Sequence, residues 1–63
     1  MAKYNALAAL ETMRQQLALC KQYLEQNDKT NFQAVSTSIG STKTAMDAAI
    51  SAETNINRLQ GLE

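Results

Sequence analysis

Apolar residues recur at alternating three- and four-residue intervals through the first half of the chain, and this spacing constrains the fold more than any other feature. Leu10, Met13, Leu17, Cys20 and Leu24 follow the pattern, which places them on one stripe of an α-helix. Strong helix formers surround them, and the 63-residue sequence contains no proline. The pattern predicts a first helix over about residues 5–26.

A polar stretch of four residues, Asn27 to Thr30, interrupts this pattern. Such side chains favour turns and caps, and either Asp28 or Thr30 suits the N-cap of a second helix. The second helix is expected over about residues 31–60, continuous through Gly40, with a kink at Gly40 as the alternative. A short connection between two amphipathic helices favours an antiparallel helical hairpin. The chain is therefore expected to be all-α, with residues 1–63 forming one domain.

The core of this hairpin is expected to form where the large apolar residues of the two helices meet. Helix 2 carries its own apolar stripe, offset from a row of small residues. The predicted core residues are Leu10, Met13, Leu17, Cys20, Leu24, Phe32, Val35, Ile39, Met46 and Ile50.

Helix 2 also carries a row of alanine and serine, the small seam. Its members are Ala34, Ser38, Ser41, Ala45, Ala48 and Ala52. Small side chains let two helices approach closely, so the small seam is predicted to be an interface between subunits. The alternative is that these residues are exposed and simply favour a helix.

Self-association is expected on energetic grounds as well, because a chain of this length barely supports a core. Cys20 is the only cysteine and there is no histidine, so neither an intrachain disulfide nor a usual structural zinc site is available. The hairpins are expected to assemble into a homodimer, as a four-helix bundle or coiled coil, or into a higher homo-oligomer.

Two further groups of residues are candidates for contacts on helix 1. Leu19 and Tyr23 lie off the main stripe and suit a second contact, with a subunit or a target protein. Lys3, Arg14 and Lys21 follow one edge of helix 1, where they suit an anionic ligand or an acidic partner, and Tyr4 could stack on a base or ring of the ligand. The alternative is that the stems of these cations cover apolar surface while their charges reach water.

Several classes of function are disfavoured by composition. Six basic residues balance six acidic ones, which disfavours binding to nucleic acid or to membranes by bulk charge. No carboxylates are paired at catalytic spacing, and no histidine is present to activate Cys20. We expect no enzyme activity, cofactor or metal. The absence of a signal peptide or apolar span predicts a cytoplasmic protein, in the host cytoplasm if it is phage-encoded.

The expected hairpin resembles, in size and architecture, Rop-type plasmid copy-number regulators and the small co-chaperones of type III secretion needle subunits. Small helical chains of this length are also common among phage accessory proteins, including inhibitors and nucleotide sponges. The leading hypothesis is a non-enzymatic homo-oligomer that binds a partner protein as adaptor, chaperone or inhibitor. The alternatives are a binder or sponge of small anionic or nucleotide ligands, with pockets between subunits, and a structural subunit of a larger particle.

Overall fold

A computed structural model, which describes residues 4–61, shows an all-α helical hairpin. Helix α1 (Ala6–Glu25) packs against helix α2 (Lys29–Ala52), and a 3₁₀ turn (Ile56–Leu59) follows α2. The described chain is elongated, with extents of 42 × 16 × 16 Å. The predicted fold class is confirmed.

Side-chain caps start both helices. The backbone N–H of Ala8 donates to Asn5 Oδ1 at 3.0 Å, and that of Asn31 donates to Asp28 Oδ1 at 3.1 Å. Asp28 is thus the N-cap of α2, and Thr30 lies inside the helix. Each such cap satisfies a backbone donor that the first turn of a helix leaves without a partner.

The turn between the helices depends on one residue with left-handed backbone. Asn27 has φ of 56°, a conformation that asparagine tolerates better than most residues. It allows the N–H of Asp28 to donate to the carbonyl of Tyr23 at 2.9 Å, a bond that closes the end of α1. The chain reverses within three residues and presents α2 alongside α1.

Helix α2 is continuous through Gly40, as expected, but it ends at Ala52 rather than near residue 60. At its end the Glu53 carboxylate accepts the N–H of Asn55 at 3.1 Å. The Asn55 side chain then accepts the N–H of Asn57 at 3.0 Å. Such local bonds compete with the hydrogen bonds of a helix, which explains why α2 ends here. The predicted boundary near residue 60 is therefore wrong.

The segment after α2 folds back onto the start of α1. Asn5 and Gln60 form an isolated antiparallel bridge. Gly61 has φ of +74°, and a Cβ on it would lie 3.1 Å from the Asn5 side chain, so glycine suits this position on both counts. The reversal buries Leu59, which is 6% exposed and is the one buried apolar residue of the described chain.

The hairpin seam, where α1 and α2 meet, consists of half-buried residues. It contains Ala6, Ala9, Met13, Gln16, Cys20 and Tyr23 of α1, and Phe32, Val35, Ile39, Thr42, Met46 and Ala49 of α2. The Thr42 hydroxyl lies 3.5 Å from Gln16 Oε1, so these two residues are level with each other in the antiparallel pair.

The predicted core requires a correction at four of its positions. Leu10, Leu17 and Leu24 are 52%, 59% and 64% exposed, and Ile50 is also exposed. They lie one position beyond seam residues, about 100° further around each helix. Since Gln16 lies level with Thr42, Ala9 of α1 lies level with Ala49 of α2, and Met13 and Cys20 come within one residue of Met46 and Ile39.

Candidate interaction surface

One side of the hairpin carries a row of exposed leucines, which we call the leucine face. Its members are Leu7, Leu10, Leu17 and Leu24 of α1. Every one of them is more than half exposed, although leucine is among the residues most often buried. A row of this length along one helix marks a surface suited to contact with another protein.

Some residues of α2 lie on the same side of the hairpin as the leucine face. Leu7, Leu10 and Ile50 line one groove, which shows that the positions following the seam residues of each helix share one side of the hairpin. Gly40 follows the seam residue Ile39 just as Ile50 follows Ala49, which places both on the same side of the hairpin. A Cβ on Gly40 would meet nothing within 4 Å, so the surface is open there.

Arg14 and Lys21 interleave with the leucines. The Arg14 guanidinium donates from Nε to Glu11 at 2.9 Å and makes a second bond to the other carboxylate oxygen. These hydrogen bonds lower the pKa of Glu11 and raise that of Arg14. Both side chains are largely exposed, so the pair orients Arg14 along α1 more than it stabilises the fold.

The small seam lies on the opposite side of the hairpin from the leucine face. All six of its residues are exposed in the single chain. Leu19 borders this side from α1 and is 41% exposed. Tyr23, in contrast, is half-buried near the turn, beside Leu24 and Phe32. Leu19 and Tyr23 nevertheless lie one turn apart on the same helix, so their second contact stays a prediction in which Tyr23 is the less exposed member.

An apolar groove opens at the end of the hairpin away from the turn. It has a volume of about 290 Å³, and Leu7, Leu10, Ile50 and Leu59 contribute to its walls. Tyr4 also lines it, and the hydroxyl of Tyr4 is buried without a hydrogen-bond partner. A buried hydroxyl of this kind favours an occupant that can bond to it.

The predicted anion-binding residues do not form one site within a single chain. Lys3 lies outside the described residues. Tyr4 lines the groove, but Arg14 and Lys21 do not, since they project further along α1. At about 1.5 Å of rise per residue, Lys21 lies roughly 25 Å from Tyr4 along the axis.

Across residues 4–61, no three His, Cys, Asp or Glu side chains converge in a way that could hold a metal ion. Cys20 is a free, half-buried thiol within the seam. Neither helix of the described chain combines the length and apolar character needed to cross a bilayer.

The leucine face was not predicted from the sequence. Leu10, Leu17 and Leu24 were assigned to the core, and Leu7 was assigned no role. The signal for this face was present in the seven-residue spacing of Leu10, Leu17 and Leu24, with Arg14 and Lys21 between them. A strict seven-residue repeat indicates a row that lies along one line of a helix.

Comparison with protein-family models, with curated proteins and with solved structures finds no match for this chain.

Proposed function

We propose that the protein is a non-enzymatic interaction protein that works as a homo-oligomer of helical hairpins and acts by binding a partner protein. The observation that carries the proposal is the amount of exposed surface. The chain exposes 4823 Å², whereas a folded monomer of 6.9 kDa is expected to expose about 4,000 Å². The excess of about 800 Å² equals what one partner buries in a standard protein interface.

The shape of the chain supports the same proposal. Its radius of gyration is 14.0 Å, compared with about 11 Å for a globular domain of 63 residues. A single pair of helices has one seam, and the residues of that seam are only half-buried. Packing a second hairpin alongside would cover apolar surface that one hairpin leaves in water.

Binding of a partner protein is supported by the placement of the two exposed faces. The leucine face and the small seam lie on opposite sides of the hairpin. If one face associates with a second copy, the other remains open to a different protein. Adaptor, chaperone or inhibitor action would then arise from an amphipathic helix face that occupies a groove or covers a surface. The single unpaired cysteine is consistent with a reducing, cytoplasmic location.

Sedimentation equilibrium of the purified protein tests self-association directly. The expected result is a mass of at least twice 6.9 kDa at micromolar concentration. A folded, cooperatively melting monomer across the micromolar range would overturn the proposal, because the excess surface would then be a stable property of the single chain.

The partner-binding part needs a matched pair of variants. Ala45 belongs to the small seam, whereas Thr37 is exposed on the side of α2 away from α1. We expect a specific partner from cell extract to bind the wild-type protein and Thr37→Arg, and to be lost with Ala45→Arg. Equal capture by both variants would exclude the small seam as the partner surface.

Small-ligand binding is the second candidate, and the buried Tyr4 hydroxyl in the apolar groove favours it. The groove suits a mainly apolar molecule with one hydrogen-bonding group. An anionic or nucleotide ligand instead requires a second subunit to bring Arg14 and Lys21 close to Tyr4. Native mass spectrometry of protein taken from cells, compared with its denatured mass, tests both. A retained molecule that Tyr4→Phe releases supports the groove, whereas a protein-only mass contradicts this candidate.

A further inference from the structure

The leucine face is uneven in a way that suits a second copy of the same chain. Its large residues belong almost entirely to α1. The adjoining positions of α2 are small over one stretch, where Ser36 and Gly40 lie. A raised row on one helix therefore lies beside a lowered row on the other. Such a surface is self-complementary when α1 of each copy packs over α2 of the other.

The hairpin brings the exposed Leu17 of α1 level with Gly40 of α2, so the difference in side-chain size between the two helices is large at this height. Gln16 lies opposite Thr42, and the two helices are antiparallel. Leu17 therefore differs in height from Gly40 by only one residue, which is about 1.5 Å along the helix axis. Leu17 is 59% exposed and a Cβ on Gly40 would meet nothing. An exposed leucine side chain and a glycine with open space above it thus lie at the same height on one side of the hairpin.

This alignment selects one symmetry. A two-fold axis parallel to the helices keeps heights unchanged and places α1 of one copy over α2 of the other, so that Leu17 meets Gly40. A two-fold axis perpendicular to the helices, lying in the contact plane, would place α1 on α1 and α2 on α2. The leucine rows would then meet each other, and the Ser36 and Gly40 positions would face each other across a gap, which forfeits packing contacts.

Two of the cations on this side form ion pairs within their own chain. Arg14 is paired with Glu11, and Lys43 donates to Asp47. Each of these cations therefore carries a carboxylate from its own chain. In the parallel two-fold arrangement, Arg14 of one copy comes level with the Lys43 and Asp47 pair of the other, where opposite charges alternate.

We propose that a second copy of this chain occupies the leucine face, related by a two-fold axis parallel to the helices, with Leu17 of each copy seated over Gly40 of the other. This inference rests on the proposed homo-oligomer and names the surface that forms it. The excess surface of about 800 Å² per chain matches the area that a standard interface takes from each partner. The small seam is left facing outward on both sides of the dimer.

Leu17→Glu and Leu19→Glu form a matched pair for sedimentation equilibrium, because both leucines are exposed on α1 but on opposite sides of the hairpin. We expect Leu17→Glu to raise the dissociation constant roughly 100-fold or more by burying a carboxylate. Leu19→Glu should retain the wild-type constant. The reverse pattern would overturn the proposal and assign the interface to the small seam.

Gly40→Gln tests the same interface with a substitution that should not unfold the chain. Glutamine favours a helix more than glycine does, and its Cβ has open space in the single chain. We expect unchanged or higher helicity together with a dissociation constant raised about 10- to 100-fold, because the added side chain displaces Leu17 of the other copy. Thr37→Gln, on the outer side of α2, is the control. Wild-type association by Gly40→Gln would contradict the proposal.

Disulfide trapping in a Cys20→Ser background tests the symmetry. A mixture of Leu17→Cys chains and Gly40→Cys chains should give a covalent dimer on oxidation, and each variant alone should not. Self-trapping of Leu17→Cys would overturn the parallel two-fold axis. A monomeric wild-type protein would instead contradict the proposed function itself, so the two failures are distinguishable.

Discussion

Leu59→Ala tests the closure of the hairpin by the segment after α2. Leu59 is 6% exposed, so truncation removes a nearly complete set of contacts and leaves a cavity beside Tyr4 and Leu10. Buried leucines cost about 2–5 kcal/mol on truncation, and a site at the end of a two-helix structure can partly collapse, so we expect about 2–3 kcal/mol. A chain of 63 residues has a total stability of about 3–9 kcal/mol. The variant should therefore lose a large part of its stability.

Ile56→Ala is the matched control, since Ile56 lies in the same 3₁₀ turn but is 71% exposed. Its truncation should change the free energy of unfolding by less than about 0.5 kcal/mol. Thermal unfolding followed by circular dichroism separates the two, because 1 kcal/mol shifts Tm by about 4–8 °C in a domain of this size. Leu59→Ala should melt roughly 10–20 °C below the wild type. All three proteins should be compared at one concentration, since association also stabilises them.

Equal melting temperatures for Leu59→Ala and Ile56→Ala would refute the reasoning. That result would mean that the 3₁₀ turn does not pack against the start of α1, and that the bridge between Asn5 and Gln60 contributes nothing to holding it there. A loss seen for both variants that disappears at high protein concentration would point to a subunit contact at this end of the hairpin instead.

Three further substitutions test separate features. Asp28→Ala should destabilise by about 1 kcal/mol in urea unfolding, because it removes the N-cap of α2; an unchanged midpoint would count against that cap. Gln16→Leu should raise the free energy of unfolding by roughly 1 kcal/mol, since the 3.5 Å contact between Gln16 and Thr42 is too long to offset the cost of placing a polar side chain in the seam. Arg14→Gln should raise the pKa of Glu11 toward its ordinary value, because a hydrogen bond from Arg14 lowers it; NMR titration of Glu11 below neutral pH measures this, and an unmoved pKa would contradict the pairing.

The hairpin itself could be predicted because its signals are local. Periodic spacing determines that each half forms a helix, and a cluster such as Asn27 and Asp28 supplies a left-handed residue and a cap over three positions. Continuity through Gly40 also follows locally, because one glycine costs only about 1 kcal/mol within a helix. None of these features requires knowledge of which residues meet across the fold.

The end of α2 could not be predicted in the same way because it depends on contacts distant in sequence. Residues 53–60 contain enough apolar positions to continue a helix. In the structure, Leu59 gains burial by returning to the start of α1, and Gln60 bridges to Asn5. The local bonds of Glu53 and Asn55 make this reversal inexpensive. The candidate anion site stays a prediction for a related reason, since Tyr4 and Lys21 lie far apart along one chain and a second subunit would have to bring them together.

The apolar stripe of α1 explains both the error in the predicted core and the proposed interface. A stripe with alternating three- and four-residue spacing is wide enough to contact two neighbours, and the structure divides it between them. Met13 and Cys20 lie in the hairpin seam, whereas Leu10, Leu17 and Leu24 remain in water. Since leaving a leucine exposed forgoes about 1.5–3 kcal/mol of burial, a row of them at seven-residue spacing is what a second helical neighbour would be expected to cover. The spacing that made α1 recognisable as a helix therefore also predicts that one partner is insufficient for it.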